Sequence, residues 1–254
     1  MFLMAEAGVN HGGKLDVAYK LADAAKYAGA DAVKFQSFSS KKLWGDSRIA
    51  HLELRFAELE KLYAHCNDIG IEFACTPFGV EELTFLRPLL KRIKIASGCI
   101  TRKPLLENAA ATGLPVILST GMSTETEIIE AVLKFKLDLV TLLHCTSAYP
   151  CRLEDVNLRA MEGLREILYG GPVGYSDHTS GITVSIAAVA MGAVMIEKHL
   201  TLDRNAEGPD HASSITPKEL KALRMAIVEV EAAMGDGIKR VLPCEEQLRK
   251  AWRD

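Results

Sequence analysis

The chain holds 254 residues, 48% hydrophobic and 25% charged, and 30 Lys+Arg set against 33 Asp+Glu leave a net charge of −3. This composition excludes a disordered chain, and without a basic excess it excludes an electrostatic nucleic-acid binder. The longest apolar run, Ile182–Ile196, contains Gly192 and falls short of the ~18–20 residues of a membrane span, while Met1–Glu6 lacks the basic start of an export signal. Six cysteines without C-x-x-C spacing read as reduced thiols, so the expected compartment is the cytoplasm.

Phe2–Glu6 opens as an apolar strand, and Leu15–Ala28 follows with apolar residues at three- and four-residue spacing, the period of an amphipathic helix. The alternation then repeats. Strands are expected at Ala32–Gln36, Glu72–Thr76, Arg92–Ala96, Pro115–Ser119, Leu139–His144, Val173–Ser176 and Met195–His199. Helices are expected at Leu52–Ile69, Val80–Leu90, Lys103–Thr112, Thr124–Lys136, Asn157–Leu168, Ile182–Met191 and Pro217–Met234. Eight strand–helix units fit one α/β architecture best, a single-domain (β/α)8 TIM barrel over residues 1–240, with 241–254 as a short tail. A doubly wound open sheet would instead bring a G-x-G-x-x-G loop after its first strand, where this chain has Glu6-Ala7-Gly8-Val9-Asn10-His11-Gly12-Gly13.

A barrel collects its chemistry at the C-terminal ends of its strands. There the chain has Glu6, then Lys34 and Gln36, Thr76, Lys94 and Ser97, and Ser119-Thr120. His144, Ser147 and Tyr149 follow, then Ser176-Asp177-His178, and finally Glu197 with His199. The two-residue strand period puts Lys34 with Gln36, and Glu197 with His199, on one face, while Val33, Phe35 and Ile196 turn towards the helices. Polar groups aimed into a barrel are costly unless paired or used, so this collection marks a site.

His178 and His199 end neighbouring strands, where two imidazoles with Glu197 or water suit Mn2+, Zn2+ or Fe2+. Glu197 could instead orient His199, and a hydrogen-bonded pair of rim histidines is the plainer alternative. Lys34 and Lys94 in a ring of hydroxyls would hold a phosphate and a carboxylate, against a Schiff-base lysine or an ion pair with Glu6. Glu6 could act as a base, hold a hydroxyl, or be a salt-bridge partner. Asn10-His11 either lines the rim or caps its loop, and Asp210 in Gly208-Pro209-Asp210-His211 either faces the site or ends its turn.

Together these stretches resemble the sialic acid synthase family, the phosphoenolpyruvate-condensing enzymes that make N-acetylneuraminic, legionaminic and pseudaminic acids. The matching segments are AEAGVNHGG from Ala5, GADAVKFQ from Gly29, GIEFACTPF from Gly70, KIASG from Lys94, LSTGM from Leu118, HCTSAYP from His144, GYSDHT from Gly174, EKHLTLD from Glu197 and GPDH from Gly208. They run in family order across nearly the whole chain, which makes the resemblance far more specific than a short motif. The resemblance implies a divalent metal, usually Mn2+, with Mg2+ or Co2+ as substitutes, on His178 and His199. It implies phosphoenolpyruvate on Lys34, Thr76, Lys94, Ser97, Ser147 and Ser176, and an open-chain amino sugar on Gln36, Tyr149 and Asp210, with Glu6 as acid/base group. In the family the barrel continues into an antifreeze-like domain whose arginine reaches the partner subunit's sugar, so a homodimer and a separate antifreeze-like partner protein are both expectations. Cys99 stands where the family usually carries an acid that faces the sugar, so either the acceptor differs or Cys99 simply packs, and the connection from Phe38 to about Leu52 is short for the family. Two alternatives accompany this reading: the same chemistry on a different aldose, and a non-catalytic barrel completed by an antifreeze-like partner.

Overall fold

Eight parallel strands follow one another along the chain: β1 (Phe2–Gly8), β2 (Ala32–Ser37), β3 (Glu72–Pro77), β4 (Ile93–Ile95), β5 (Val116–Ser119), β6 (Val140–His144), β7 (Val173–Asp177) and β8 (Met195–His199). The computed structural model describes residues 1–253, Trp44 in its backbone only, so Asp254 of the expected tail lies outside the described residues. The strands pair in the order β3-β2-β1-β8-β7-β6-β5-β4. Because β1 joins β8, the sheet curls round into the expected TIM barrel. Helices α1 (Leu15–Tyr27), α2 (Ser40–Trp44), α3 (Phe56–Asp68), α4 (Val80–Leu86) and α5 (Lys103–Ala111) lie in the first half of the chain. Helices α6 (Glu125–Val132), α7 (Ala160–Ile167), α8 (Thr183–Ala190), α9 (Pro217–Met234) and α10 (Glu246–Arg253) complete the set.

Strand alternation sorts the side chains into two cores. Leu3, Ala5, Val33, Phe35, Phe73, Ile95 and Ile196 face outward and pack under the helices. Met4, Ala32, Ala74, Ile117, Leu143 and Met195 face inward and plug the lower barrel. Each large side chain buried this way contributes roughly 1.5–3 kcal/mol, and a one-residue slip would turn every one of them over, so the pattern fixes the register. Capping boxes start two helices: Thr124 and Glu127 exchange side-chain and backbone hydrogen bonds at α6, as Thr216 and Glu219 do at α9.

One ladder is missing. Among the described residues no run of backbone hydrogen bonds joins β3 to β4, whose three residues are fewer than the five expected. Side chains clasp this seam instead. At its foot Arg92 forks onto the Glu72 carboxylate at 2.7 and 3.1 Å, and at its top Arg102 donates to the Phe78 carbonyl at 2.8 Å.

Other boundaries shift for local reasons. β1 runs on to Gly8 through a bulge between Glu6 and Gly8. α3 starts at Phe56, not Leu52, because residues 38–55 fold over the barrel mouth around the short α2. α7 starts at Ala160, since Asn157 takes a left-handed φ of 49° that no helix continues. Trp252 on α10 and Cys244 are exposed. No helix among the described residues is long and apolar enough to cross a membrane.

Candidate active site

Along the same strands that plug the barrel, the next inward residues are polar. Two positions above Met4, Ala32, Ala74, Ile117 and Met195 stand Glu6, Lys34, Thr76, Ser119 and Glu197. They floor a cavity of about 530 Å³ at the C-terminal end of the barrel. All twelve residues that the family resemblance assigns to the site line it: Glu6, Lys34, Gln36, Thr76, Lys94, Ser97, Ser147, Tyr149, Ser176, His178, His199 and Asp210.

The floor is one buried charge network. Lys34 Nζ lies 2.7 Å from Glu6 Oε2, donates to Thr76 Oγ1 at 3.0 Å, and sits 3.7 Å from Glu197 Oε2. Lys94 Nζ donates to Ser119 Oγ at 2.6 Å and lies 3.7 Å from Glu197 Oε1, which also accepts from Ser176 Oγ at 2.9 Å. Glu197 therefore bridges two ammonium groups, and among the described residues it makes no hydrogen bond to His199. Burial would raise its pKa, but Lys34 and Lys94 outweigh burial and hold the carboxyl down at about 2. Glu6 has the opposite balance. Burial raises its carboxyl to about 7 against the pull of Lys34, while Gln36 Nε2 donates to its Oε1 at 3.0 Å. The ion pair that competed with a ligand role for Lys34 is thus present, and the lysine still faces the cavity.

Hydroxyls gather beside Lys94. Ser97 Oγ accepts from the Gly121 N–H at 3.0 Å and lies 3.2 Å from Cys145 Sγ. A Cβ on Gly121 would sit 2.9 Å from Ser97 Oγ and closer still to Ser147 Oγ, so only glycine lets the two serines converge there. On the opposite side Gly8, at φ 53°, does the same for a carboxylate pair: a Cβ would meet Asp210 Oδ2 at 3.0 Å and Glu6 Oε1 at 3.3 Å.

His178 and His199 project between these two sides, their ring centroids 5.4 Å apart, with the Tyr149 ring 4.2 Å from His178. His178 Nδ1 donates to the Thr146 carbonyl at 2.7 Å, which leaves the Nε2 lone pair free. Burial lowers the pKa of both imidazoles, His178 to about 4, so both are neutral near pH 7. His199 Nδ1 is buried without a hydrogen-bond partner, 3.7 Å from Asp210 Oδ2. This donor chemistry fits a divalent cation. Among the described residues no cluster of three His, Cys, Asp or Glu completes a closed ligand set, so the other positions would fall to water or substrate.

Several rim residues turn elsewhere. His144 shares the outward parity of Leu142, and its Nε2 bonds the Val156 carbonyl at 2.7 Å. Thr120 bonds the Leu143 carbonyl. Asp177 also faces outward and pairs with Lys198 at 3.0 Å, both fully buried. His11 caps its loop, accepting from the Gly13 N–H at 3.0 Å, and Asn10 donates to Leu200 O and Ser214 Oγ. Cys99 packs in the outer core and does not line the cavity. Reading by spacing missed the mouth: Val9, Phe38, Leu43, Arg48, Ile49 and Leu52 also line the cavity, in a stretch whose residues show no period to follow.

Comparison with known proteins agrees with this geometry. The chain is 43% identical to the N,N'-diacetyllegionaminic acid synthase of Campylobacter jejuni, over 96% of this chain and 80% of that protein. It is 36% identical to the human N-acetylneuraminate-9-phosphate synthase, over 96% and 74% of the two chains. The crystal structure of the N-acetylneuraminic acid synthetase of Leptospira borgpetersenii, in complex with citrate, superposes with a TM-score of 0.92 at 38% identity, over 99% of this chain and 92% of that one. The model of the NeuB family matches residues 21–239, and with these relatives it shows that the chain belongs to the NeuB family.

Proposed function

We propose that this enzyme condenses phosphoenolpyruvate with an N-acetylated aminohexose, N-acetylmannosamine or a diacetyl-dideoxy analogue, to give a nonulosonic acid and phosphate. The observation that carries the reading is the division of one cavity: two lysines and a set of hydroxyls on one side, two neutral imidazoles with Gln36, Tyr149 and Asp210 on the other. The names of the two curated relatives given above, both acid synthases of this sugar class, support it.

Lys34, Lys94, Thr76, Ser97, Ser147 and Ser176 would hold the donor's carboxylate and phosphate, and Gln36, Tyr149 and Asp210 would orient the open-chain sugar. His178 and His199 would hold the divalent metal, Mn2+ or a substitute, which when bound supplies Lewis-acid polarisation of the aldehyde, several kcal/mol. The donor's methylene carbon bonds to the aldehyde carbon, and Glu6, poised near neutrality, gives its proton to the oxygen left behind. Water then adds to the cationic donor carbon, returning a proton to Glu6. The carbon–oxygen bond to phosphate breaks with its electron pair on phosphate, the adjacent hydroxyl proton follows, and a ketone remains. Lys34 and Lys94 face the negative charge throughout and are already oriented by Glu197.

The test is phosphate release from phosphoenolpyruvate with each sugar and without sugar. Release that needs both sugar and added Mn2+, and that EDTA and His178→Ala abolish, is the expected result. Failure to release phosphate with any sugar, together with failure to bind phosphoenolpyruvate, would overturn it.

A further inference from the structure

Asn10, in the turn after β1, does not line the cavity, and its amide reaches a different loop. Nδ2 donates to the Leu200 carbonyl and to Ser214 Oγ, both at 2.9 Å, from a side chain only 5% exposed. Leu200 and Ser214 are the two feet of the β8–α9 loop, whose crest, residues 202–209, is exposed. The Ser214 hydroxyl that accepts from Asn10 passes its own hydrogen on, to the Asp210 carbonyl at 2.6 Å, where Ser213 Oγ also donates at 3.0 Å. A chain of hydrogen bonds thus runs from Asn10 through Ser214 to the backbone of Asp210, which with Pro209 is this loop's contribution to the cavity wall.

Asn10 Oδ1 is buried with no hydrogen-bond partner. An orphaned amide oxygen is unfavourable, so the position uses the two N–H donors, which an aspartate of the same shape lacks. The same turn meets the other end of Asp210. Its carboxylate lies over Gly8, where a Cβ would approach Oδ2 to 3.0 Å, and stands 3.7 Å from His199 Nδ1. Gly8 leaves room for the carboxylate, and Asn10 holds the backbone behind it. We infer that Asn10 is a positioning residue for the acceptor: acting through Ser214, it sets the Asp210 carboxylate on the sugar side of the cavity without lining the cavity itself. The inference rests on the function proposed above, which gives Asp210 the open-chain sugar.

Binding is read by calorimetry in the presence of Mn2+ with unreactive probes, the alditols of N-acetylmannosamine and of its diacetyl-dideoxy analogue, which lack the aldehyde, and separately with phosphoenolpyruvate alone. Asn10→Ala should weaken the alditol that the parent binds about tenfold and leave the Kd for phosphoenolpyruvate within about twofold. In an Asp210→Ala background the same substitution should weaken it by less than about twofold, because its effect passes through Asp210. Ser214→Ala deletes one hydroxyl, keeps the Asn10–Leu200 bond, and reads the same relay should Asn10→Ala fail to fold; it should weaken the alditol about threefold, with Ser214→Thr restoring the parent's affinity. Equal weakening of donor and alditol, an undiminished effect in the Asp210→Ala background, or Ser214→Ala binding as the parent does overturns this inference and leaves the condensation standing. A parent that binds phosphoenolpyruvate but neither alditol overturns the sugar assignment and this inference with it.

Discussion

The buried pair Asp177–Lys198 offers a sharp test of how the barrel holds its two histidines. Asp177 sits between Ser176 and His178, and Lys198 between Glu197 and His199; the flanking residues face the cavity while the pair locks the strands from behind. Both side chains are fully buried, and Asp177 also accepts from the Thr179 N–H and hydroxyl and from Ser185 Oγ, at 2.5–2.8 Å. Lys198→Met removes the one cation paired with this carboxylate among the described residues. Leaving one partner of a buried pair costs about 3–5 kcal/mol. At about 2–4 °C per kcal/mol for a chain of this size, Tm should fall by roughly 6–20 °C. Asp177→Asn/Lys198→Met removes both charges, keeps three of the hydrogen-bonding groups engaged, and should recover most of that loss. Calorimetric melting of the two single variants and the double variant closes the cycle. A loss under 1 kcal/mol in Lys198→Met, or a double variant as unstable as the sum of the singles, would refute the reasoning.

Two further outcomes follow from the cavity walls. Gly8→Ala forces a Cβ against Asp210 and Glu6 at a left-handed φ; steady-state kinetics should show the acceptor's KM raised about tenfold with the donor's KM nearly unchanged, at a stability cost of about 1–2 kcal/mol. Glu6, whose pKa burial lifts from 4.5 to about 7, favours folding in its protonated form, so its contribution is complete below about pH 4.5 and is lost as pH rises through 7. Urea melts of metal-free protein should therefore show Glu6→Gln gaining stability relative to the parent over that window, by an amount on the order of 3 kcal/mol.

The fold was legible because strand parity and helix period are local, and Met4, Glu6, Ala32 and Lys34 declare their face by spacing alone. The same parity separates His144 and Asp177 from the cavity, since each lies one residue from an inward-facing neighbour, Leu143 and Ser176; a list of rim residues that ignores parity includes them wrongly. Glu197's place between two lysines depends on which strands are neighbours around the circle, which no single segment encodes. The mouth was least legible. Phe38, Arg48 and Ile49 belong to a connection without period, and their convergence follows from how residues 38–55 cross the barrel end.

The clasped seam between β3 and β4 has a mechanical consequence. A closed tube resists twisting because shear stress circulates round its wall; slit lengthwise, it keeps its bending stiffness but loses most of its torsional stiffness. Here the lengthwise slit is held by Arg92–Glu72 at one end and Arg102–Phe78 at the other, and Thr76 and Lys94 stand on its opposite lips. Amides along those lips can exchange with solvent hydrogen through a local opening that leaves the seven other ladders intact. An anion gripped by Thr76 and Lys94 together would close the wall, so the barrel becomes a stiffer torsion spring when that side of the cavity is filled.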